Sequence, residues 1–203
     1  GYTMSNLILI RHGQSVWNAS NRFTGWTDVD LSEKGVLEAE QAGRDLSAFR
    51  IDVVHTSDLI RAQRTAEIIM QLNESSEGAV TKYDWRLNER NYGSLQGLNK
   101  AETAEKHGAH QVHIWRRSFD IPPPGGESLK MNAARTLPYF EGNIMRDLEA
   151  GKNVLISAHG NSLRSIVMHI ESISPEDIVS VEVPTGKPLF YRFEDGQIIR
   201  EEL

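Results

Sequence analysis

Leu7-Ile8-Leu9-Ile10-Arg11-His12-Gly13-Gln14-Ser15 and Val154-Leu155-Ile156-Ser157-Ala158-His159-Gly160-Asn161-Ser162 share one shape. Each is an apolar run of strand length, then His-Gly, then an amide residue and a serine. Unbroken apolar runs read as strands buried on both faces, as in parallel sheets. Each histidine sits where its strand runs out. If the two strands are neighbours, both imidazoles face one pocket at the carboxyl edge of the sheet, where such sheets hold ligands. Gly13 and Gly160 would let a ligand approach the backbone. Gln14, Ser15, Asn161 and Ser162 can cap a helix or donate to an anion.

Working outward, residues 52–56 read as another strand and 80–85 as a weaker one. Helices are expected after Ser32 (Val36, Ala39, Ala42, Leu46 and Phe49 on one face), after Ser57 or Asp58 (Ala62, Ala66, Ile69, Leu72), after Ser128 with a kink at Pro138, and after Asn161 or Ser162. Residues 178–201 read as short strands, with Val179, Val181 and Val183 alternating and Asp195-Gly196 as a hairpin turn. The pattern predicts an α/β three-layer sandwich, a mostly parallel central sheet flanked by helices. Residues 4–203 form the expected single domain, and Gly1-Tyr2-Thr3 ahead of Met4 reads as a cloning remnant. Two irregular polar stretches, 18–30 and 119–128, are candidate rim loops.

Composition narrows the function. The chain has 203 residues, 39% hydrophobic and 25% charged, as soluble globular proteins do. No apolar run approaches the roughly 18 residues of a membrane span. A cytoplasmic location and no membrane partner are therefore expected. With no cysteine, disulfides and thiolate chemistry are excluded. A net charge of -6 argues against a general nucleic-acid partner but permits a locally positive pocket for a small anion.

Paired histidines with Glu89 could hold a metal. However, no carboxylate closely follows either histidine, and Arg11 and Arg61 reach the same edge. Arginine is a poor neighbour for a dication and a good one for phosphate. Arg116-Arg117 alone would be a solvated helix face. Taken with Lys100 and the histidines, it suggests a phosphate pocket. His107, His110 and His113 could share a helix face, read as surface.

Longer stretches carry a family resemblance: Arg11-His12-Gly13-Gln14-Ser15-Val16-Trp17-Asn18, Phe23-Thr24-Gly25-Trp26, Leu87-Asn88-Glu89-Arg90-Asn91-Tyr92-Gly93, Trp115-Arg116-Arg117, Ala158-His159-Gly160-Asn161-Ser162 and Pro184-Thr185-Gly186. The chain resembles the 2,3-bisphosphoglycerate-dependent phosphoglycerate mutases of the histidine phosphatase superfamily. The resemblance implies glycolytic and gluconeogenic exchange of 3-phosphoglycerate and 2-phosphoglycerate, with 2,3-bisphosphoglycerate as primer and no metal. It makes His12 the nucleophile that becomes phosphohistidine and Glu89 the general acid and base. Arg11, Arg61 and His159 clamp the transferring group. Asn18, Thr24, Gly25 and Asn161 add neutral donors, and Arg90, Tyr92, Lys100, Arg116 and Arg117 hold the carboxylate and second phosphate. Gly13, Gln14, Ser15 and Gly160 complete the expected binding set. A homodimer or tetramer is also implied.

Two features depart from the family pattern. Position 14 is Gln where many relatives carry Glu. The segment Pro122-Pro123-Pro124-Gly125-Gly126-Glu127-Ser128 lacks an insertion found in many mutases and resembles the phosphatase branch. Phosphatase action on small monoesters is therefore the alternative activity, and a non-catalytic binding protein a third reading. The tail after Phe193 is expected to serve as a lid.

Overall fold

The computed structural model describes residues 3–202, so Gly1, Tyr2 and Leu203 lie outside it. In chain order the elements are β1 (Met4–Arg11), α1 (Val16–Ala19), α2 (Glu33–Asp45), β2 (Val53–Thr56), α3 (Ile60–Leu72) and β3 (Val80–Tyr83). Then come α4 (Lys100–His107), α5 (Ala109–Arg117), α6 (Leu129–Tyr139), a π-helical turn (Phe140–Ile144), α7 (Met145–Glu149) and β4 (Val154–Ala158). The last are α8 (Gly160–Glu171), α9 (Pro175–Ile178), β5 (Leu189–Glu194) and β6 (Gln197–Glu201).

The six strands form one sheet in the order β3-β2-β4-β1-β5-β6. The first four run parallel, while β5 is antiparallel to β1 and β6 to β5. Alternation within β1 decides the layers. Leu7 and Leu9 pack with Leu163, Ile166, Phe140 and Leu148 on one face. Ile8 and Ile10 pack with Ala42, Leu46, Ala66 and Ile69 on the other. Each fully buried aliphatic side chain contributes about 1.5–3 kcal/mol, so both faces are strongly apolar. This is the expected three-layer sandwich. The matching motifs are adjacent: β1 pairs with β4, Arg11 lies opposite Ala158, and His12 N–H donates to Ala158 O at 3.2 Å.

Several local expectations change. Helix α8 begins at Gly160, with His159 itself at the N-cap, so the first-turn amides lie beside the histidines. Pro138 sits inside α6, and one residue after Tyr139 closes that helix the winding widens to the π turn, as a missing N–H in the ladder allows. Strand β3 ends at Tyr83, and Trp85 starts a 3₁₀ turn. His107 lies on α4, whereas His110 and His113 lie on α5 beyond Gly108 (φ +88°), so the three do not share one helix.

The segment 179–183 is not a strand, despite its alternating valines. Its carbonyls bind arginine side chains instead of a neighbouring strand. Residues 194–201 are not a lid either. They close a hairpin through Asp195 (φ +50°) and Gly196 (φ +81°), and Glu194 pairs with Met4 at the start of β1, opposite the histidines.

Candidate active site

A cavity of about 190 Å³ opens at the carboxyl ends of β1 and β4. Its wall carries Arg11, Arg22, Arg61, Lys100, Arg116, Arg117 and Arg164 against two carboxylates, Glu89 and Glu182. Seven cations facing two anions make the pocket positive on a protein of charge -6. The N-terminus of α8 adds Gly160 and Asn161 at the positive end of a 12-residue helix.

His12 is buried at the end of β1, and its Nδ1 lies 2.7 Å from Gly13 O. A carbonyl can only accept, so Nδ1 carries the proton and Nε2 keeps its lone pair. A backbone carbonyl thus fixes the His12 tautomer. Burial, then the Arg61 charge, hold the His12 pKa well below 6.5, so the imidazole is neutral and nucleophilic. His159 stands edge-on to it, ring centroids 4.9 Å apart. Burial, followed by Arg61 and His12, lowers its pKa too.

Glu89 Oε1 accepts from Arg90 N–H (2.9 Å) and Asn161 N–H (3.0 Å), which leaves Oε2 for proton transfer. Its backbone is held as well: Glu89 O accepts from Trp26 Nε1 and from Arg135 Nη2. Arg61 is fully buried, donating to Thr27 O (2.9 Å) and Gly25 O (2.6 Å). Burial lowers its pKa to about 10, so it stays cationic at neutral pH. Arg11 donates to Val183 O at 2.9 Å and lies so close over Gly160 that a Cβ there would sit 3.0 Å from its Cζ. A side chain there would push the guanidinium back by a few tenths of an ångström. Gly25 combines φ +55° with a virtual Cβ 2.2 Å from Gln96 Oε1, so a side chain is barred there.

Asn18 Oδ1 accepts from Ser15 N–H and Asn161 Oδ1 from Arg164, which leaves each amide NH₂ as a donor toward the cavity. Thr24, Gly25, Tyr92, Lys100, Arg116 and Arg117 also reach its wall. Burial lowers the Lys100 pKa, with Arg116 and Arg11 adding to the effect.

Other expected binding residues stand behind the wall. Gly13 packs on Glu38. Gln14 turns away from the cavity, its Oε1 accepting from Ser32 Oγ. Ser15 caps α1. Arg90 is fully buried, stacks on the Tyr92 ring at 4.9 Å and donates to Arg116 O, so it supports two wall residues. His159 is fully buried against His12 and is likewise off the wall.

Arg164 was missed in the sequence. It lies one turn into α8, where a lone arginine reads as surface, yet it is 4% exposed. It donates to Asn161 Oδ1, Ile178 O and Val181 O. Arg117 adds Val179 O and an ion pair to Glu182 at 3.3 Å. With Arg11 on Val183 O, three wall arginines hold the segment 178–183 by its carbonyls. Among the described residues no group of three or more His, Cys, Asp or Glu is placed to hold a metal ion.

Comparison with known proteins agrees with this geometry. Residues 7–201 match the histidine phosphatase superfamily (branch 1). A 2,3-bisphosphoglycerate-dependent phosphoglycerate mutase of Protochlamydia amoebophila is 47% identical over 225 residues, covering 98% of this chain and all of that protein. One from Parvibaculum lavamentivorans is 50% identical over 201 residues, covering 97% and 95%. The chain belongs to the 2,3-bisphosphoglycerate-dependent phosphoglycerate mutase family. The same name accompanies one alignment longer than this chain and one of nearly its own length, so the missing insertion does not separate this chain from the family. A mycobacterial glucosyl-3-phosphoglycerate phosphatase has a similar structure, with TM-score 0.80, 26% identity and coverage of 93% and 90%.

Proposed function

We propose that this chain interconverts 3-phosphoglycerate and 2-phosphoglycerate through a phosphohistidine on His12, primed by 2,3-bisphosphoglycerate. The supporting observation is the neutral His12, its Nε2 lone pair free, at the base of a pocket with a large excess of cations. That excess suits a ligand carrying a phosphate dianion together with a further anionic group. Among the described residues Arg11 Nε and His159 Nδ1 are buried without hydrogen-bond partners, which suits a bound phosphoryl group.

In the first half-reaction Glu89 takes the proton of the substrate's free hydroxyl, whose oxygen bonds to the phosphorus carried by His12 while the P–N electron pair returns to Nε2, giving bound 2,3-bisphosphoglycerate. In the second, His12 Nε2 attacks the other phosphorus, the bond to that ester oxygen breaks, and Glu89 protonates the departing alkoxide. Arg11 and Arg61 stabilise charge on the equatorial oxygens. Lys100, Arg116 and Arg117 bind groups that do not react and so orient the substrate. No step in this scheme uses a metal.

Phosphatase action is the second reading, favoured by the short loop at 122–128. That loop is pinned rather than open: Ser94 N–H donates to Pro124 O at 2.9 Å and Glu127 N–H to Asn91 O at 2.7 Å. Turnover of 3-phosphoglycerate with bisphosphoglycerate present, followed by isomer ratio and phosphate release together, tests the proposal. Isomerisation should greatly exceed release; dominant release would assign the phosphatase activity instead.

A further inference from the structure

His12 and His159 differ in what surrounds their far nitrogens. His12 Nδ1 meets a carbonyl, whereas His159 Nε2 lies 2.7 Å from the hydroxyl of Ser57, at the end of β2. Ser57 and His159 are both fully buried, so water cannot complete their bonding. Ser57 Oγ already accepts from Leu59 N–H at 3.2 Å. Its single proton has one acceptor among the described residues, His159 Nε2. If that nitrogen carried a proton, Ser57 would face two donors and its own O–H would be stranded, at a cost of about 1–3 kcal/mol. The remaining nitrogen, His159 Nδ1, is buried and has no hydrogen-bond partner among the described residues, the Ser162 N–H beside it at the N-cap of α8 falling short of one.

We infer that Ser57 is a positioning residue that fixes His159 in the Nδ1–H tautomer, so that it offers a hydrogen-bond donor to the phosphoryl group carried by His12. The two rings are then set in complementary fashion. His12 presents a lone pair at Nε2 because Gly13 O accepts from its Nδ1. His159 presents an N–H at Nδ1 because Ser57 donates to its Nε2. An imidazole in water favours the Nε2–H form, so the protein must impose the other. With Nε2–H, the bare Nδ1 lone pair would oppose the phosphoryl oxygens and the site would lose one fixed donor. Burial beside Arg61 disfavours the doubly protonated ring, which keeps the tautomer the controlling variable.

The inference rests on His12 being the phosphoryl carrier, but its first test does not require turnover. Nitrogen-15 NMR of the histidine rings, with His159 assigned by difference against His159→Gln, should show a protonated Nδ1 and an unprotonated Nε2, with and without inorganic phosphate. An Nε2–H ring in the wild type overturns the inference whatever the variants do. In Ser57→Ala the tautomer should shift toward Nε2–H and kcat should fall about 10²-fold, the scale of losing one fixed donor, with KM changed much less. Ser57→Thr keeps the hydroxyl and should recover most of the rate. If Ser57→Ala keeps full kcat while folded by circular dichroism, the positioning role is wrong. If His12 takes no phosphate in the wild type, the proposed function fails instead, and the ring measurement still stands or falls separately.

Discussion

At the level of single residues, the wall of this site is held by arginines that bond to the protein's own carbonyl and amide oxygens. Arg164 is the sharpest case. Burial lowers its pKa to about 10, yet it stays charged because two carbonyls and an amide oxygen accept from it. Arg164→Met should strand those acceptors and cost about 2–4 kcal/mol, read as a lower urea midpoint. Amide exchange should also quicken at Val181, whose N–H bonds Ile178 O, as the segment loosens. Arg164→Lys should not rescue it, since one ammonium cannot reproduce the fork. An Arg164→Met protein with unchanged midpoint and exchange would contradict this reading. The positions of Arg11, His12 and Arg61 at the cavity were legible because neighbouring strand ends mark them, whereas Glu89 came through the family resemblance and Arg116-Arg117 only in combination with the histidines. Arg164 and Ser57 were not legible, because their meaning lies in contacts 14 and 102 residues away.

Among the elements, the parallel strands and amphipathic helices follow their hydrophobic periods closely. The repeated His-Gly shape left the adjacency of its two strands as a condition, which the pairing of β1 with β4 meets. The alternation at Val179, Val181 and Val183 misled, because a period of two marks a strand only when a partner strand takes the backbone bonds. Here Arg117, Arg164 and Arg11 take them. The short 122–128 loop shows the converse. Its sequence suggested an irregular rim loop, but Glu127 accepts from Asn91 N–H and pairs with Arg135 at 2.9 Å. Arg135 lies beside the Trp26 and Trp85 rings and donates to Glu89 O. The loop is thereby tied to the backbone of the proposed acid, a coupling that no local pattern encodes.

Over the whole molecule, the same burial that keeps His12 and His159 neutral links stability to pH. His55 joins them: buried in β2, its ring lies 2.7 Å from both Tyr139 Oη and Asp147 Oδ2, and desolvation lowers its pKa despite Asp147. In the unfolded chain these rings take protons near 6.5; in the fold they resist until lower pH. The unfolded state therefore binds more protons below about 6.5, and stability falls as pH drops through that window. Each group contributes up to about 1.4 kcal/mol per pH unit there. Asp52 and Asp84, lowered in the fold from 3.8, act only at more acid pH. Urea midpoints should fall steadily from pH 7.5 to 5.5, and a flat profile would contradict the neutral-histidine assignment.

Direct labelling tests whether His12 carries the phosphoryl group. Wild type and His12→Ala are incubated with phosphorus-32-labelled 2,3-bisphosphoglycerate, quenched in alkali and analysed by peptide mass and acid lability. An acid-labile, alkali-stable phosphate is expected on His12 of the wild type and none on the variant. No labelled wild-type protein, or equal label in His12→Ala, would contradict it.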